Sequence, residues 1–307
     1  MRRVLRIGSR GSYLALWQAE SVSSIIKADF PDIDTEIVVI KTTGDRFVDS
    51  PLFKIGGKGV FVKEIEEALL RGEVDIAVHS MKDLPTSLPP GLVIGAVIRR
   101  GDPRDALVSD KGVSFSGLPE GAVIGTSSLR RKAQLLNLRP DLKLVPLRGN
   151  VDTRLKKLKK EGLDAVVLAM AALNRMGFEK EVSECFPVDV VVPAPGQGAI
   201  AVECRKDDGE TVSLLSRINH GDSFKAVGCE RSFLERLGGG CQVPVGCYAE
   251  VRGRIIRAVG LVASTDGREV VRDSIEGPVD DYKNLGKELA ERILSKGGRD
   301  ILLKLTS

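Results

Sequence analysis

Apolar and polar residues alternate along the first 200 positions in two kinds of segment. Short apolar runs such as LRIGSR, TEIVVIKT and VDIAVHS are typical of strands. The segment GVFVKEIEEALLRG instead places Phe61, Ile65, Ala68 and Leu69 at helical spacing and stops at Gly72. The same alternation returns from AVIG through LRRKAQLLNL, LKLVPL, VDTRLKKLKKEG and DAVVLA to MAALNRMG. Alternating strands and helices predict parallel α/β sheets.

The pattern changes in the last third of the chain. IIRAVGLVAS and REVVRDSIEG flank the turn sequence TDG, which predicts an antiparallel hairpin because Asp-Gly favours tight turns between strands. NLGKELAERILSKGG then carries Leu285, Leu289 and Ile293 on one helical face. We therefore expect a small α+β domain at this end.

Two further segments set the predicted domain boundaries. RRGDPRDAL is interpreted as a linker, and VVPAPGQGAIAVECR as the chain crossing back to the first domain. The predicted fold is two α/β lobes followed by a C-terminal α+β domain with an antiparallel sheet. The lobes are expected at 1–98 with 199–216 and at 99–198, and the C-terminal domain at 217–307.

Composition narrows the class of protein. A chain of 307 residues with 42% hydrophobic residues is large enough for several cores. Five scattered cysteines, and no apolar run long enough for a signal peptide or a membrane span, predict a cytoplasmic protein without disulfides. Two histidines and no C-x-x-C pair leave little from which to build a metal site.

The charge pattern favours a small anion as ligand. The net charge is +4, but aromatic residues make up only 4% of the chain, which leaves little for stacking nucleic-acid bases. Residues that directly follow strands gather beyond the carboxyl ends of an α/β sheet, and arginine binds carboxylates or phosphates in a bidentate manner. The arginines in such positions are Arg10, Arg130, Arg131, Arg148, Arg154 and Arg175. Each one alone is as compatible with a solvated surface charge, but together they suggest a ligand with several acidic groups.

Three other segments carry candidate chemistry. IGGKGVF lacks the spacing of a phosphate-binding loop, and we interpret it as a mobile loop in which Lys54 and Lys58 reach toward an anion. GQGAIA fits a dinucleotide fingerprint, but a strand-like segment follows it where a helix is required. In GGGCQVPVGC, three glycines before Cys241 suggest that something must fit beside its thiol.

The segment AVHSMKDLPT offers two titratable side chains. His79 lies inside an apolar strand, so a core histidine is the favoured interpretation over a catalytic base. Asp83 follows the strand beside Lys82, where its carboxylate would stabilise a cation that develops on a substrate. The alternative role of Asp83 is to cap the turn before Leu84.

Four motifs in this order carry a resemblance to a known family: AVHSMKDLPT, GTSSLRRKAQL, LRGNVDTRL and GGGCQVPVG. They resemble the porphobilinogen deaminases, and the likeness extends from LRIGSRGSYLALWQAE into the C-terminal domain. The resemblance implies an enzyme that joins four porphobilinogen units head to tail with release of ammonia, giving 1-hydroxymethylbilane. It also implies a monomer whose first two domains are like the lobes of a periplasmic binding protein.

The resemblance implies a role for each matching residue. Asp83 matches the catalytic aspartate, and Cys241 matches the cysteine that holds a dipyrromethane cofactor by a thioether. The cofactor is itself made from substrate. The residues expected to hold the carboxylates of the cofactor are Lys82, Ser128, Arg130, Arg131 and Arg154, and those expected at the substrate and the growing chain are Arg10, Ser12, Lys54, Lys58, Arg148 and Arg175. Cys247 departs from many relatives, and we expect it to be a packed thiol.

Two other classes of protein use some of the same residues. A two-lobed binding protein for a small polycarboxylate would need the arginines but neither Asp83 nor Cys241. A nucleic-acid-binding protein would explain the arginines but not the cysteine segment, and its binding would depend steeply on salt. Consumption of porphobilinogen distinguishes the enzyme from both.

Overall fold

The computed structural model describes residues 3–46, 62–238 and 243–306. The strands in these ranges are β1 (Arg3–Ser9), β2 (Ile33–Val39), β3 (Ile76–Ser80), β4 (Leu92–Val97), β5 (Asp105–Ser109), β6 (Val123–Gly125), β7 (Lys143–Val145), β8 (Ala165–Ala169), β9 (Glu184–Cys185), β10 (Ile200–Arg205), β11 (Val245–Arg252), β12 (Ile255–Ala263) and β13 (Val270–Pro278). The helices are α1 (Tyr13–Asp29), α2 (Thr43–Arg46), α3 (Lys63–Leu70), α4 (Leu129–Leu138), α5 (Val151–Lys160), α6 (Met170–Arg175), α7 (Gly209–Ile218), α8 (Gly221–Arg236), α9 (Tyr282–Ile293) and α10 (Arg299–Thr306).

The chain forms two compact units. Unit 1 comprises Met1–Gly101 and Ala199–Phe224, and unit 2 comprises Asp102–Gly198 and Lys225–Ser307. Unit 2 contains both the second α/β sheet and the C-terminal antiparallel sheet. The three-domain boundaries expected from the sequence stay a prediction.

Unit 1 is built on a five-stranded sheet with the order β2-β1-β3-β10-β4. Strand β1 pairs in parallel with both β2 and β3. Side chains of β1 and β3 pack with α1 and α7, and the alternate residues of β3 pack with α3. Both faces of the sheet are therefore covered by helices, which is why its strands are nearly continuous apolar runs.

Unit 2 contains a second five-stranded sheet, with the order β7-β6-β8-β5-β9. Strand β6 runs parallel to β7 and β8. One face packs on α4 through Leu135, and the other packs on α5 and α6 through Leu158 and Leu173. Strands β5 and β8 are buried at every position.

The C-terminal part of unit 2 is an antiparallel sheet, β11-β12-β13, packed on α8 and α9. The predicted hairpin and helix are confirmed. Gly267 of the TDG turn has a φ of 73°, and a side chain there would collide with the carbonyl of Ala133 in α4. Because Asn137 also donates to the Gly267 carbonyl at 2.9 Å, this turn packs directly against the second α/β sheet's helix.

The fold class is confirmed, but two sequence expectations are wrong in detail. Both α/β sheets are mixed, because β10 runs antiparallel to β3 and β4, and β5 runs antiparallel to β8 and β9. Strand direction depends on how distant segments return to the sheet, which local periodicity does not encode. The supposed linker RRGDPRDAL ends in a buried strand, because β5 begins at Asp105.

Three titratable side chains, those of His79, Glu203 and Glu66, lie close together inside unit 1. Of these three, the sequence analysis had considered only His79. His79 is buried in β3, as predicted, and its Nε2 lies 3.2 Å from Oε2 of Glu203 in β10. Glu66 of α3 is also buried, and its Oε1 has no hydrogen-bond partner among the described residues. Burial, and then the charge of Glu203, raise the pKa of Glu66 to about 7, while His79 acts in the opposite direction.

Glu66 should make the stability of the fold depend on pH. Its pKa is higher in the folded chain than the ordinary value of 4.5, so its contribution is greatest at low pH and is lost as the pH rises toward 7. We expect Glu66→Gln to gain stability relative to the wild type between pH 4.5 and 7, with no further gain above that range. Urea unfolding at pH 4.5, 6 and 8 measures the difference.

The control is Glu67→Gln, which removes the half-exposed carboxylate next to Glu66 on α3. Its stability relative to the wild type should change little across the same pH range. A constant difference between Glu66→Gln and the wild type at all three pH values would contradict the assignment.

Candidate active site

In unit 1, four predicted site residues follow the carboxyl ends of two neighbouring strands. Arg10 and Ser12 come directly after β1, and Lys82 and Asp83 come after β3. Since β1 and β3 pair in parallel, with Ile7 opposite Ile76, these segments leave the sheet at the same edge. Ser12 is the N-cap of α1, where its hydroxyl accepts from the backbone N–H of Ala15 at 3.4 Å.

Asp83 ends a single 3-10 turn, Met81–Asp83, that follows β3 without a gap. Two hydrogen bonds hold this turn in place. The N–H of Met81 donates to the carbonyl of Ala199 at 3.0 Å, and Nε2 of the buried Gln18 donates to Oγ of Ser80 at 2.9 Å. The Asp83 side chain is exposed and makes no hydrogen bond or ion pair with the described residues. Its alternative role as a turn cap therefore finds no support in residues 3–46, 62–238 and 243–306.

In unit 2, the segments that carry Ser128, Arg148 and Arg175 also follow neighbouring parallel strands and therefore leave the second sheet at one edge. They follow β6, β7 and β8, which run parallel and are neighbours. Ser128 is the N-cap of α4 and accepts from the N–H of Arg131 at 3.3 Å. The N-terminus of α4 and Arg148 thus follow the carboxyl ends of parallel strands, where α/β proteins commonly bind ligands, and Arg175 follows at the end of α6.

Arg130 and Arg131 are not surface charges: they are only 5% and 6% exposed, and both bind the carboxylate of Asp105. Nη1 of Arg130 lies 2.6 Å from Oδ2, and Nη2 of Arg131 lies 2.7 Å from Oδ1. Each guanidinium also donates to a backbone carbonyl, Val192 at 2.7 Å for Arg130 and Val167 at 2.8 Å for Arg131. The sequence placed both arginines at a site but gave no sign that they are buried.

Arg154 and Arg175 each donate to the carbonyl of a glycine that has a positive φ. Nε of Arg154 donates to Gly149 at 2.8 Å, and Nη2 of Arg175 donates to Gly198 at 2.6 Å. Burial lowers the pKa of the Arg175 guanidinium to about 10, which leaves it charged at neutral pH. Contacts with backbone carbonyls therefore hold both arginines: Arg154 binds within its own loop, and Arg175 binds to the segment that precedes β10.

Three predicted site residues, Lys54, Lys58 and Cys241, lie outside the described residues. The second thiol of the GGGCQVPVGC segment, Cys247, is fully buried in β11 within the core formed with α8 and α9, as predicted. Among the described residues, Cys185, Cys204, Cys229 and Cys247 form no disulfide. Among the described helices, none has the length and apolar character that crossing a membrane requires.

Sequence reasoning missed Asp105 and Gln197. Asp105 is completely buried, and Gln197 donates from Nε2 to its Oδ1 at 2.9 Å and to the carbonyl of Pro103 at 2.7 Å. Asp105 had been assigned to a linker and Gln197 to a weak dinucleotide fingerprint. The one available signal was an aspartate at the head of the apolar run DALV, because a buried charge needs a partner.

Two family models match almost the whole chain. The model described as "Porphobilinogen deaminase, dipyromethane cofactor binding domain" matches residues 5–213, and "Porphobilinogen deaminase, C-terminal domain" matches residues 224–295. The chain belongs to the porphobilinogen deaminase family. The resemblance stated from the four sequence motifs is therefore confirmed.

Curated members of the family are similar over nearly their full length. The porphobilinogen deaminase of Trichlorobacter lovleyi is 55% identical over 298 residues, which cover 97% of this chain and 95% of the relative. That of Syntrophomonas wolfei is 54% identical over 300 residues, with 98% of each chain covered. That of Geobacter sulfurreducens is 53% identical over 301 residues, covering 98% of this chain and 94% of the relative.

Solved structures of a binding protein and of a lipoprotein are more distant. The methionine-binding protein MetQ matches with a TM-score of 0.44 and 15% identity, covering 73% of this chain and 90% of MetQ. A YaeC-family lipoprotein from Enterococcus faecalis matches with a TM-score of 0.43 and 15% identity, covering 70% and 90%. Scores at this level carry no inference about ligand or activity.

The loop that holds Arg154 should depend on a glycine at position 149. Gly149 has a φ of 110°, and a Cβ there would lie 2.7 Å from Cγ2 of Thr153. We expect Gly149→Ala to lower the free energy of unfolding by about 1–3 kcal/mol, because strain and a steric clash add. Urea unfolding measures the loss.

The matched control is Gly162→Ala. Gly162 also has a positive φ, of 66°, but a Cβ there meets no atom within 4 Å. Its substitution should cost less than that of Gly149, and equal losses would contradict the steric part of the explanation.

Proposed function

We propose that this chain is a hydroxymethylbilane synthase, a transferase of tetrapyrrole biosynthesis. It joins four porphobilinogen molecules head to tail. In each addition the bond between the methylene carbon and the amine breaks, ammonia leaves, a carbon–carbon bond forms to the free α-carbon of the terminal ring, and that carbon loses its proton. The observation that carries the proposal is the exposed Asp83 carboxylate, which the described residues leave available at the end of β3 in a chain of this family.

The negative charge of the substrate explains why so many arginine and lysine side chains follow strands. Each porphobilinogen ring carries an acetate and a propionate, so negative charge accumulates as the chain grows. In unit 1, Arg10, Ser12 and Lys82 would bind these groups, and in unit 2 Arg148 and Arg175 would do so. Lys54 and Lys58 are assigned to the same work from the sequence alone.

The residues of unit 2 suit a dipyrromethane cofactor. Two buried guanidinium groups share one carboxylate, so Arg130, Arg131 and Asp105 together carry one positive charge that has no counter-charge within the three. Nε of Arg130 is also buried without a hydrogen-bond partner among the described residues. Acidic side chains of a cofactor would neutralise this charge, with Lys82, Ser128 and Arg154 as further contacts and Cys241 as the point of attachment. When bound, the dipyrromethane supplies a primer ring with a free α-carbon.

Asp83 is proposed as the catalytic group. Loss of ammonia leaves a cation on the incoming pyrrole, and a fixed carboxylate stabilises a cation that forms beside it. Hydrogen bonds of Met81 and Ser80 to neighbouring elements hold the backbone of the 3-10 turn at the end of β3. The Asp83 carboxylate is thereby kept near this edge of the sheet, where the cation would form.

The other assignments concern the alternative functions, the compartment and the partners of the protein. A pure binding protein with the same arginines is not favoured, because members of this family are deaminases, and a nucleic-acid partner is not needed to explain the cations. We propose that the protein acts in the cytoplasm, as a monomer, on free porphobilinogen and its own growing polypyrrole chain. Four described cysteines that form no disulfide are consistent with a reducing compartment.

A covalent cofactor should be visible in the mass of the purified chain. We expect the chain to be heavier than its sequence by two linked pyrrole units, on the peptide that contains Cys241, and to consume porphobilinogen with release of ammonia. Cys241→Ser should lack the added mass and be nearly inactive. Intact-mass and peptide mass spectrometry measure this.

Cys247→Ala is the matched control, because Cys247 is buried in β11. It should keep both the added mass and the activity. An unmodified chain with full activity, or attachment at Cys247, would refute the assignment of Cys241.

The charge of Asp83 should matter for turnover and not for folding. Asp83→Asn keeps the shape of the side chain, so we expect an unchanged melting temperature and a loss of about 10²-fold or more in kcat. Asp83→Ala should show a similar loss of kcat with little further effect on stability, since no described residue bonds to the carboxylate. Steady-state kinetics and thermal unfolding of both variants decide. If Asn retains turnover near that of the wild type, Asp83 is not the catalytic group.

A further inference from the structure

Asp105 lies at the first position of β5 and receives hydrogen bonds from three side chains. Its Oδ2 accepts from Nη1 of Arg130 at 2.6 Å. Its Oδ1 accepts from Nε of Arg131 at 2.9 Å and from Nε2 of Gln197 at 2.9 Å. One carboxylate therefore connects the head of β5, the first turn of α4 and the loop that precedes β10.

The buried charges of Asp105, Arg130 and Arg131 destabilise the fold unless their ion pairs stay intact. Each charge buried away from water costs several kcal/mol, and removing one partner leaves the others uncompensated. Burial alone would raise the pKa of Asp105, but the charges of Arg130 and Arg131 outweigh it and hold the pKa far below its ordinary value. Asp105 is thus ionised at neutral pH.

The carboxylate also fixes the direction in which the two guanidinium groups point. Arg131 places Nε and Nη2 on Asp105 and Nη1 on the carbonyl of Val167, so each of its nitrogens has an assigned partner. Arg130 shares one nitrogen between Asp105 and the carbonyl of Val192. Val192 is held in turn by Gln134, whose Oε1 accepts from its N–H at 2.7 Å. A guanidinium clamped in this way cannot rotate to follow a ligand.

We propose that Asp105 is a positioning residue for the cofactor: it orients Arg130 and Arg131 and leaves the pair with the single positive charge that receives a cofactor carboxylate. This inference rests on the proposed function. It assigns no contact between Asp105 and the cofactor, because Asp105 is completely buried behind the two arginines.

Asp105→Asn separates positioning from simple charge balance. Asparagine keeps the shape of the side chain but presents only one oxygen, and its amide group would face a guanidinium. If Asp105 merely offset charge, its loss would leave two positive charges and an anionic cofactor would bind as well as before or better. If Asp105 orients the arginines, their misalignment should weaken binding despite the greater positive charge. The two roles therefore predict opposite signs.

The experiment measures how fast the cofactor-free chain acquires the mass of two pyrrole units when it is given porphobilinogen. All variants are compared at a temperature at which circular dichroism shows them fully folded, so that a loss of stability alone does not affect the rate. We expect Asp105→Asn to load about 10- to 100-fold more slowly than the wild type. Loading at the wild-type rate or faster overturns the proposal.

Asp141→Asn is the matched control. Asp141 also pairs with an arginine in unit 2, with Nη2 of Arg139 at 2.6 Å and Nε at 2.8 Å, but that pair lies at the other end of α4. It should load as the wild type does. Slow loading by Asp141→Asn as well would show that any broken ion pair has this effect, and would overturn the assignment to Asp105.

Gln197→Met keeps the inference testable if Asp105→Asn does not fold. It removes one neutral donor to Asp105 and leaves both ion pairs. We expect slower loading with a melting temperature near that of the wild type, and unchanged loading contradicts the proposal. If the wild-type chain itself never gains the mass, the proposed function fails and not this inference.

Discussion

The ion pairs of Asp105 with Arg130 and Arg131 connect the second α/β sheet to the first turn of α4. A carboxylate at the head of a central strand holds two side chains from the first turn of α4, and the N-cap of that turn is Ser128. Removing the carboxylate would leave two charges inside unit 2. Because the cost of such a loss is high, the position of α4 and the orientation of its arginines are set together.

In unit 1, a buried carboxyl group is accommodated by protonation and not by ion pairs with any arginine that the structure describes. Glu66, His79 and Glu203 lie together. Although Nε2 of His79 approaches Oε2 of Glu203 to 3.2 Å, that nitrogen, both carboxylate oxygens of Glu203 and Oε1 of Glu66 have no hydrogen-bond partner among the described residues. With burial raising the pKa of Glu66 to about 7, one carboxyl group keeps its proton up to near-neutral pH. The carboxylate that remains available for chemistry, that of Asp83, instead lies exposed at the end of the neighbouring turn. The exposed carboxylate of Asp83 thus belongs to unit 1, whereas the buried guanidinium groups of Arg130 and Arg131 belong to unit 2.

The sequence predicted the elements well and the long-range contacts poorly. Periodicity found α3 and α9, and Asp-Gly found the hairpin of β12 and β13, because these signals lie within a few residues of one another. Strand direction was missed for β5 and β10, since it depends on where distant segments re-enter a sheet. For the same reason the position of Arg130 and Arg131 after a strand was readable, whereas their partner Asp105, 25 and 26 positions away, was not.

The placement of β10 constrains the order in which the chain can fold during synthesis. This strand lies between β3 and β4, and among the described strands β4 pairs with β10 alone. A ribosome therefore has to deliver Ile200–Arg205 before β4 gains a partner, and by then every strand of the second α/β sheet has already been made. The sheet of unit 1, although begun first, is therefore completed after the second α/β sheet, and until then β3 has an open edge to which other nascent chains can bind.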